Sequence, residues 1–518
     1  MAALSPSPRD VLRFAFSQGA GNALVTAPIR VTENPVTTAG LLPAGALPDR
    51  RTPLPRGTHE YLADLPYPRR GVTADPAATA DQQLGHALVA AFGIQRREPS
   101  NPYNDHRGYA SVRSKFPVHA FVTGQGRRQL VDVGRHALLE MQAPGPADEP
   151  TSVVLAGRFT HLPDYYRPLR GPLTELELGI NLRALAVGME LFAVNGSLRL
   201  PGADGPELLA RLGLAPTWEW TLPLVVETAG PAGTGPEGSL PAGAGPEGSL
   251  PAGAGPEGSP PPGAGPEGSP PVAATEPVPP DPALAEVVSV NRAQQAAVPA
   301  APLTGAIPDL PDRHDISWAE VFFERTAGRM PRRLSGMNGR RRRVPSTVLT
   351  DAAAWLRVPP PGLLRAVADA IRVTAVVQDV DGFEDGRYEV HDTGISARDT
   401  TGTGLHARLE REYGYPLTPG NGCDVRHATT LWFLTARPRH LVEEFGPAGW
   451  PLAQFAAGWM TQGLSLSAAA HGLYARPARA FDEIPTQRLL GLEPDETILL
   501  SVISGTGRFT EQVWDMRL

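Results

Sequence analysis

The sequence predicts an α+β fold carried twice, as two α/β units in tandem along one chain. Three observations predict it. A ten-residue phrase close to PAGAGPEGSL is repeated four times from Pro231 to Pro270, which places a spacer near the middle of the 518 residues. Apolar stretches on either side of the spacer match: Pro172-Leu173 and Gly179 recur as Pro451-Leu452 and Gly458, each 279 residues later. LGLAP (Leu212 to Pro216) then recurs as LGLEP (Leu490 to Pro494), 278 residues later, and each copy leads into a strand-like run ending in Gly, TLPLVVETAG and TILLSVISG. Three matches in one order at nearly one spacing argue for a single fold built twice.

Taken in order, each element has a local reason. Residues 179–192 are small and apolar almost all round, which predicts a buried central helix. LGLAP closes a short helix, because Pro cannot continue one. LPLVVET then reads as a strand buried on both faces. The repeat has almost no large apolar side chains and cannot offset chain entropy by burial. Residues 230–280 are therefore read as a linker between domains 1–229 and 281–518. As a coil of ~5–6 Å × √n, it spans roughly 40 Å. Beyond it, Ser317-Trp318-Ala319-Glu320 is a capping box that opens a helix. RVTAVVQDVDGFEDGRYEVHD, from Arg372, reads as strand, turn, strand. Phe383 occupies a ligand position of what would otherwise be a calcium loop, so a plain hairpin is expected. Residues 458–473 repeat the buried helix and TILLSVI repeats the buried strand.

Composition excludes several classes. The net charge of −7 gives no basic field for nucleic acid or anionic membrane. The single cysteine, Cys423, excludes an intrachain disulfide and a multi-cysteine metal site. His119, His391, His427 and His471 have no metal-type spacing, so no metal is expected. No run of eighteen apolar residues exists, and MAALSPSPRDVLRFAF lacks the signal-peptide pattern, so a cytoplasmic protein is expected. Lys115 is the one lysine in an arginine-rich chain. RRLSGMNGRRRR (Arg332 to Arg343) reads as a solvated loop or as a dock for an acidic leader peptide.

AAGWMTQGLSLSAAAHGL, from Ala456, together with FDEIPTQRLLGLEPDETILLSVISG resembles the C-terminal half of the nitroreductase superfamily, whose members bind flavin mononucleotide (FMN) at a two-fold dimer interface. ERTAGR (Glu324 to Arg329) is similar to the family's Arg-x-Ser-x-Arg region, with Ala327 for Ser. ASVRSKFPVHAFV (Ala110 to Val122) resembles the Pro-Ser-Ala-Gly-x-Arg-His-Pro stretch of the SagB-type azoline dehydrogenases: Ser111 and Pro117 match, Arg113 replaces Gly and Lys115 replaces Arg. DYYRPLRG (Asp164 to Gly171) is similar to that group's Lys-Tyr-x-x-x-Arg region, with Tyr166 matching and Tyr165 in place of Lys. The first half keeps the Ser-containing stretch and the second half the Arg pair, while Tyr166 falls on Phe445 in the second copy. The resemblance therefore implies two nitroreductase-like domains fused into an intrachain pseudo-dimer with one good flavin site.

The residues allow a functional and a structural reading side by side. Arg325 and Arg329, four apart at the end of the capped helix, suit a flavin phosphate; the alternative is two solvated arginines. Gly505, Gly507 and Arg508, after the last strand, either add donors to that phosphate or form a turn. Ser111 and Lys115 sit against the flavin or belong to an ordinary loop, a cation near the ring favouring its reduced anion. Tyr166 is a general base or acid, or else packs an interface with Tyr165. The resemblance implies an FMN-dependent dehydrogenase that oxidises azolines to thiazoles or oxazoles in a ribosomally made peptide, possibly of thiopeptide type, with a cyclodehydratase as partner. Further oligomerisation is left open. Two other readings stay open: a nicotinamide-using oxidoreductase acting on a small molecule, and a non-catalytic scaffold that binds peptide.

Overall fold

The computed structural model describes residues 6–17, 42–72, 78–99, 105–142, 145–228, 279, 281–294, 297–328, 339–392, 394–399, 404–413, 423–508 and 512–518. The repeat from Pro231 to Pro270 lies outside them. Residues on both sides of it, up to Gly230 and from Val278, cluster as one compact unit.

Two antiparallel sheets organise that unit. The first contains β1 (Val118–Gly124), β2 (Arg127–Asp132), β3 (Ala137–Met141), β4 (Ser152–Gly157), β5 (Gly196–Leu200) and β6 (Leu224–Thr228). The second contains β7 (Arg372–Val377), β8 (Gly386–His391), β9 (Gly394–Asp399), β10 (Thr430–Ala436), β11 (Tyr474–Ala478) and β12 (Thr497–Gly507). Their orders are β3-β2-β1-β4-β6-β5 and β9-β8-β7-β10-β12-β11, with every neighbouring pair antiparallel. The hairpin expected from Arg372 is β7–β8, and both runs after LGLxP are strands, β6 and β12.

Four helices matter to the site: α1 (Pro8–Phe16), α2 (Arg170–Leu191), α3 (Trp318–Glu324) and α4 (Gly449–Ala470). Each central helix, α2 and α4, is 22 residues long. All of α4 is buried, and all of α2 but Glu190, as sequences without a polar face require. They pack on each other, α2 also against β4 and α4 against β12. Their crossing is reciprocal. A Cβ on Gly179 would collide with the carbonyl of Phe455, and one on Gly458 with the carbonyl of Leu176. Because Gly179 and Leu176 are separated by the same three residues as Gly458 and Phe455, the contact has the form of a two-fold isologous interface.

Strands also pass between the halves. Val298–Pro302 extends the first sheet beside β5, and Trp514–Asp515 pairs with Ile94–Arg97. The helix Pro282–Asn291 follows the spacer yet packs on the first half: Asn291 Nδ2 donates to Glu175 Oε1 at 3.0 Å, and Leu222 N donates to Asn291 Oδ1 at 2.7 Å. Arg183 of α2, fully buried, donates from Nη1 to the Trp459 carbonyl and from Nη2 to the carbonyls of Ala306 and Trp355. Its guanidinium also lies over the Trp355 and Trp459 rings. The position 279 residues on is Gln462, which reaches the other way, to the Gly108 carbonyl at 2.9 Å. Among the described residues, no helix is long and apolar enough to cross a membrane, and no group of three or more His, Cys, Asp or Glu is placed to hold a metal ion.

Candidate functional site

A cleft of about 210 Å³ opens between the two halves. The first half contributes Asp105, His106, residues 109–114, Phe116, Tyr166 and one face of α2. The second half contributes Arg325, Ala327, Gly328, Cys423, residues 476–480 and Leu500. Its apolar lining includes Leu169, Leu173, Leu176 and Ile180, and four arginines, Arg113, Arg325, Arg476 and Arg479, also line it.

Arg325 reaches the cleft because α3 stops one residue earlier. Ser317 and Glu320 cap its start reciprocally, as the capping box predicts. At Arg325 the backbone leaves the helix, with φ −55° and ψ 119°. The side chain is 4% exposed and donates from Nε to the Arg107 carbonyl at 3.0 Å. Burial pushes its pKa down to about 9, the neighbouring Arg96 adding to the effect and Glu98 opposing it. This corrects the expectation that Arg325 shares a helix face with Arg329: Arg325 lies beyond the helix end, and Arg329 lies outside the described residues.

The Ser111–Phe116 loop is fixed from beneath by α2. Ser111 Oγ accepts from Phe116 N at 2.8 Å and donates to Glu177 Oε1 at 3.0 Å, and Val112 N donates to the same oxygen at 2.7 Å. Gln462 of α4 holds the preceding turn through Gly108. Arg113, which stands where the resemblance expects Gly, has φ 49° and ψ 31°, the left-handed region that Gly occupies without a Cβ clash. Ser114 and Phe116 also have positive φ, at 50° and 48°. Three such residues in four positions are costly and need a surrounding structure that over-determines them.

Tyr166 is 7% exposed and lines the cleft. Its hydroxyl accepts from Arg113 Nε at 3.2 Å, and its ring lies 4.8 Å from that of Tyr165, centroid to centroid. Arg113 is thus a cation beside Tyr166, while Lys115, two residues further, is not among the residues lining the cleft.

Gly505 and Arg508 lie away from this cleft. Gly505 is buried within β12, paired with Tyr474, and a Cβ there would come within 3.1 Å of the Tyr474 hydroxyl. That close packing gives the glycine a structural reason. Arg508 is exposed at the strand end, and neither residue lines the cleft.

Sequence reasoning missed Glu177, Arg476 and Arg479. Glu177 is 2% exposed, and burial pushes its pKa up to about 8 against the donors on Oε1 and the Arg107 charge. A signal existed: TELELG sets Glu175 and Glu177 immediately before the stretch 179–192 read as a buried helix, and buried carboxyls need a reason. The cleft thus combines guanidinium donors suited to an anion, apolar walls suited to a planar ring, a phenol with a cation beside it and a buried acid. These residues fit a flavin nucleotide.

No family model matches the sequence, and no curated protein matches it. Among solved structures, a protein of Anabaena variabilis ATCC 29413 named as a nitroreductase is similar with a TM-score of 0.60 at 14% identity, covering 96% of this chain and 99% of that one. The fold is therefore nitroreductase-like. A chain of the E. coli microcin synthetase McbBCD complex, solved with truncated pro-MccB17 bound, matches with a TM-score of 0.27 at 15% identity over 39% of this chain and 77% of its own. A protein of Ralstonia eutropha JMP134 named as a nitroreductase matches with a TM-score of 0.27 at 16% identity, over 39% of this chain and 89% of its own.

Proposed function

We propose that this chain is an FMN-dependent oxidoreductase that works as an intrachain pseudo-dimer with a single composite flavin site. The observation that carries the reading is the cleft itself. It lies where two similar halves meet in a nitroreductase-like fold, and it draws Ser111 and Tyr166 from one half and Arg325 from the other. Arg325, with Arg329 by sequence, is assigned to the phosphate, and the α2 wall to the ring. The bound flavin would supply a two-electron acceptor that molecular oxygen can reoxidise.

The finer reading is oxidation of azoline rings to azoles in a modified precursor peptide in the cytoplasm, and it rests on the sequence resemblance around Ser111 and Tyr166. In it Tyr166 takes the proton from the carbon next to the oxidised one, with the Arg113 guanidinium placing a positive charge beside the phenol oxygen. The test is direct. The purified chain should carry FMN or take it up, and should convert an azoline-containing peptide to the azole with consumption of oxygen. A chain that takes up no FMN contradicts both readings. One that takes up FMN but is bleached rapidly by a nicotinamide without peptide contradicts the finer one.

A further inference from the structure

One group in the cleft wall has its hydrogen bonding half complete. Glu177 Oε1 accepts twice, from Ser111 Oγ and Val112 N, whereas Oε2 is buried and meets no partner among the described residues. A purely structural acid at a buried helix position would be expected to satisfy both oxygens. The equivalent position in α4 is Ala456, so the fold does not require a carboxyl there.

The charged groups around it have other partners. Arg107 donates to the Tyr109 hydroxyl at 2.8 Å and lies 3.8 Å from the Phe116 ring centroid. Glu175 points to Asn291. The other charged or titratable groups lining the cleft are Arg113, Arg325, Arg476, Arg479, Asp105 and His106, with Tyr109, Tyr166 and Cys423. Burial favours the uncharged carboxyl at neutral pH. A protonated carboxyl has one carbonyl oxygen, which accepts twice, and one hydroxyl, which donates. The two donors on Oε1 match the carbonyl oxygen and leave the hydroxyl at Oε2.

We propose that Glu177 holds its ligand as a neutral acid: the Oε2 hydroxyl donates a hydrogen bond to an uncharged acceptor on the edge of the flavin ring, a carbonyl oxygen or a ring nitrogen, while Oε1 anchors the Ser111–Phe116 loop. The assignment rests on the reading of the cleft as a flavin site. It makes Glu177 a binding residue whose proton is part of the site, and it makes affinity depend on that proton.

The test is FMN binding, followed by fluorescence quenching from about pH 6 to about pH 9, in the native chain, Glu177→Gln and Glu177→Leu. The native Kd should rise about tenfold as the pH passes through the titration of Glu177. Glu177→Gln keeps a donor, so it should bind within about threefold of the native chain at neutral pH and show no such break. Glu177→Leu should bind about tenfold more weakly throughout. In the chain without flavin, difference infrared spectra should contain a protonated-carboxyl C=O band that is missing from Glu177→Gln. Native FMN binding with Glu177→Leu equal to the native chain at every pH, or the absence of that band, overturns the assignment and leaves the flavin reading standing. Failure of the native chain to bind FMN at any pH overturns the flavin reading instead.

Discussion

Two carboxyls inside α2 tie the stability of the fold to pH. Burial pushes Glu175 up to about 7 and Glu177 up to about 8, from an unfolded value near 4.5. A raised acid contributes stability that is present in full below the unfolded pKa and is lost as pH rises through the folded one. The chain should therefore lose a few kcal/mol between about pH 5 and pH 9, seen as a falling urea midpoint. Glu177→Gln should flatten the upper part of that fall; a native midpoint that rises over this range contradicts the assignment. Arg113 makes a second residue-scale case. Arg113→Gly removes roughly 1–2 kcal/mol of left-handed strain and also the donor to Tyr166, so stability should stay within about 2 kcal/mol while azoline turnover falls. Tyr166→Phe should likewise spare FMN binding and slow turnover; unchanged turnover removes Tyr166 from the mechanism. Neither Arg113 nor Glu177 was legible as a site residue. The left-handed φ at Arg113 follows residues anchored to Glu177, 64 positions away on α2, and local sequence carries no trace of that anchor. The opposite error at Gly505 has a similar cause. A glycine at a strand end reads as a turn, whereas here it makes room for the Tyr474 hydroxyl.

At the scale of elements, the central helices and the strands they cover were legible, because all-round apolar composition and LGLxP stops are local signals. Their crossing was legible only as two matched glycines, Gly179 and Gly458, whose purpose appears once the helices meet. The reciprocity makes a prediction. Gly179→Ala and Gly458→Ala each push a Cβ into the partner helix's backbone. Each should destabilise the chain by about 1–3 kcal/mol, by similar amounts, seen as matched falls in Tm. Gly507→Ala, with open space around it, serves as the tolerated control. Markedly unequal losses at the two glycines would contradict a two-fold crossing. The elements also show where the symmetry ends. Phe445 and Ala456 occupy the positions equivalent to Tyr166 and Glu177. Helix α1 packs against Pro438–Phe445, with Val11 and Phe14 buried. The second half thus carries neither a phenol hydroxyl nor an acid at these positions.

For the whole molecule, the two halves are joined by far more than the spacer. Two buried helices cross, strands of the second half pair with strands of the first, and the Arg183 guanidinium of the first half is held by three carbonyls of the second. Shortening the repeat moderately should leave activity unchanged, since the interface, not the tether, brings the halves together. Removing either half should abolish the site, since both halves line the cleft. The measurement that bears most directly on a single composite flavin site is cofactor stoichiometry, the FMN bound per chain after reconstitution, in the full chain and in residues 1–229 and 281–518 expressed apart and together. The account predicts one FMN per full chain, none in either half alone, and recovery of binding when the halves are combined. Two FMN per chain, none in the intact chain, or retention by a single half would contradict it.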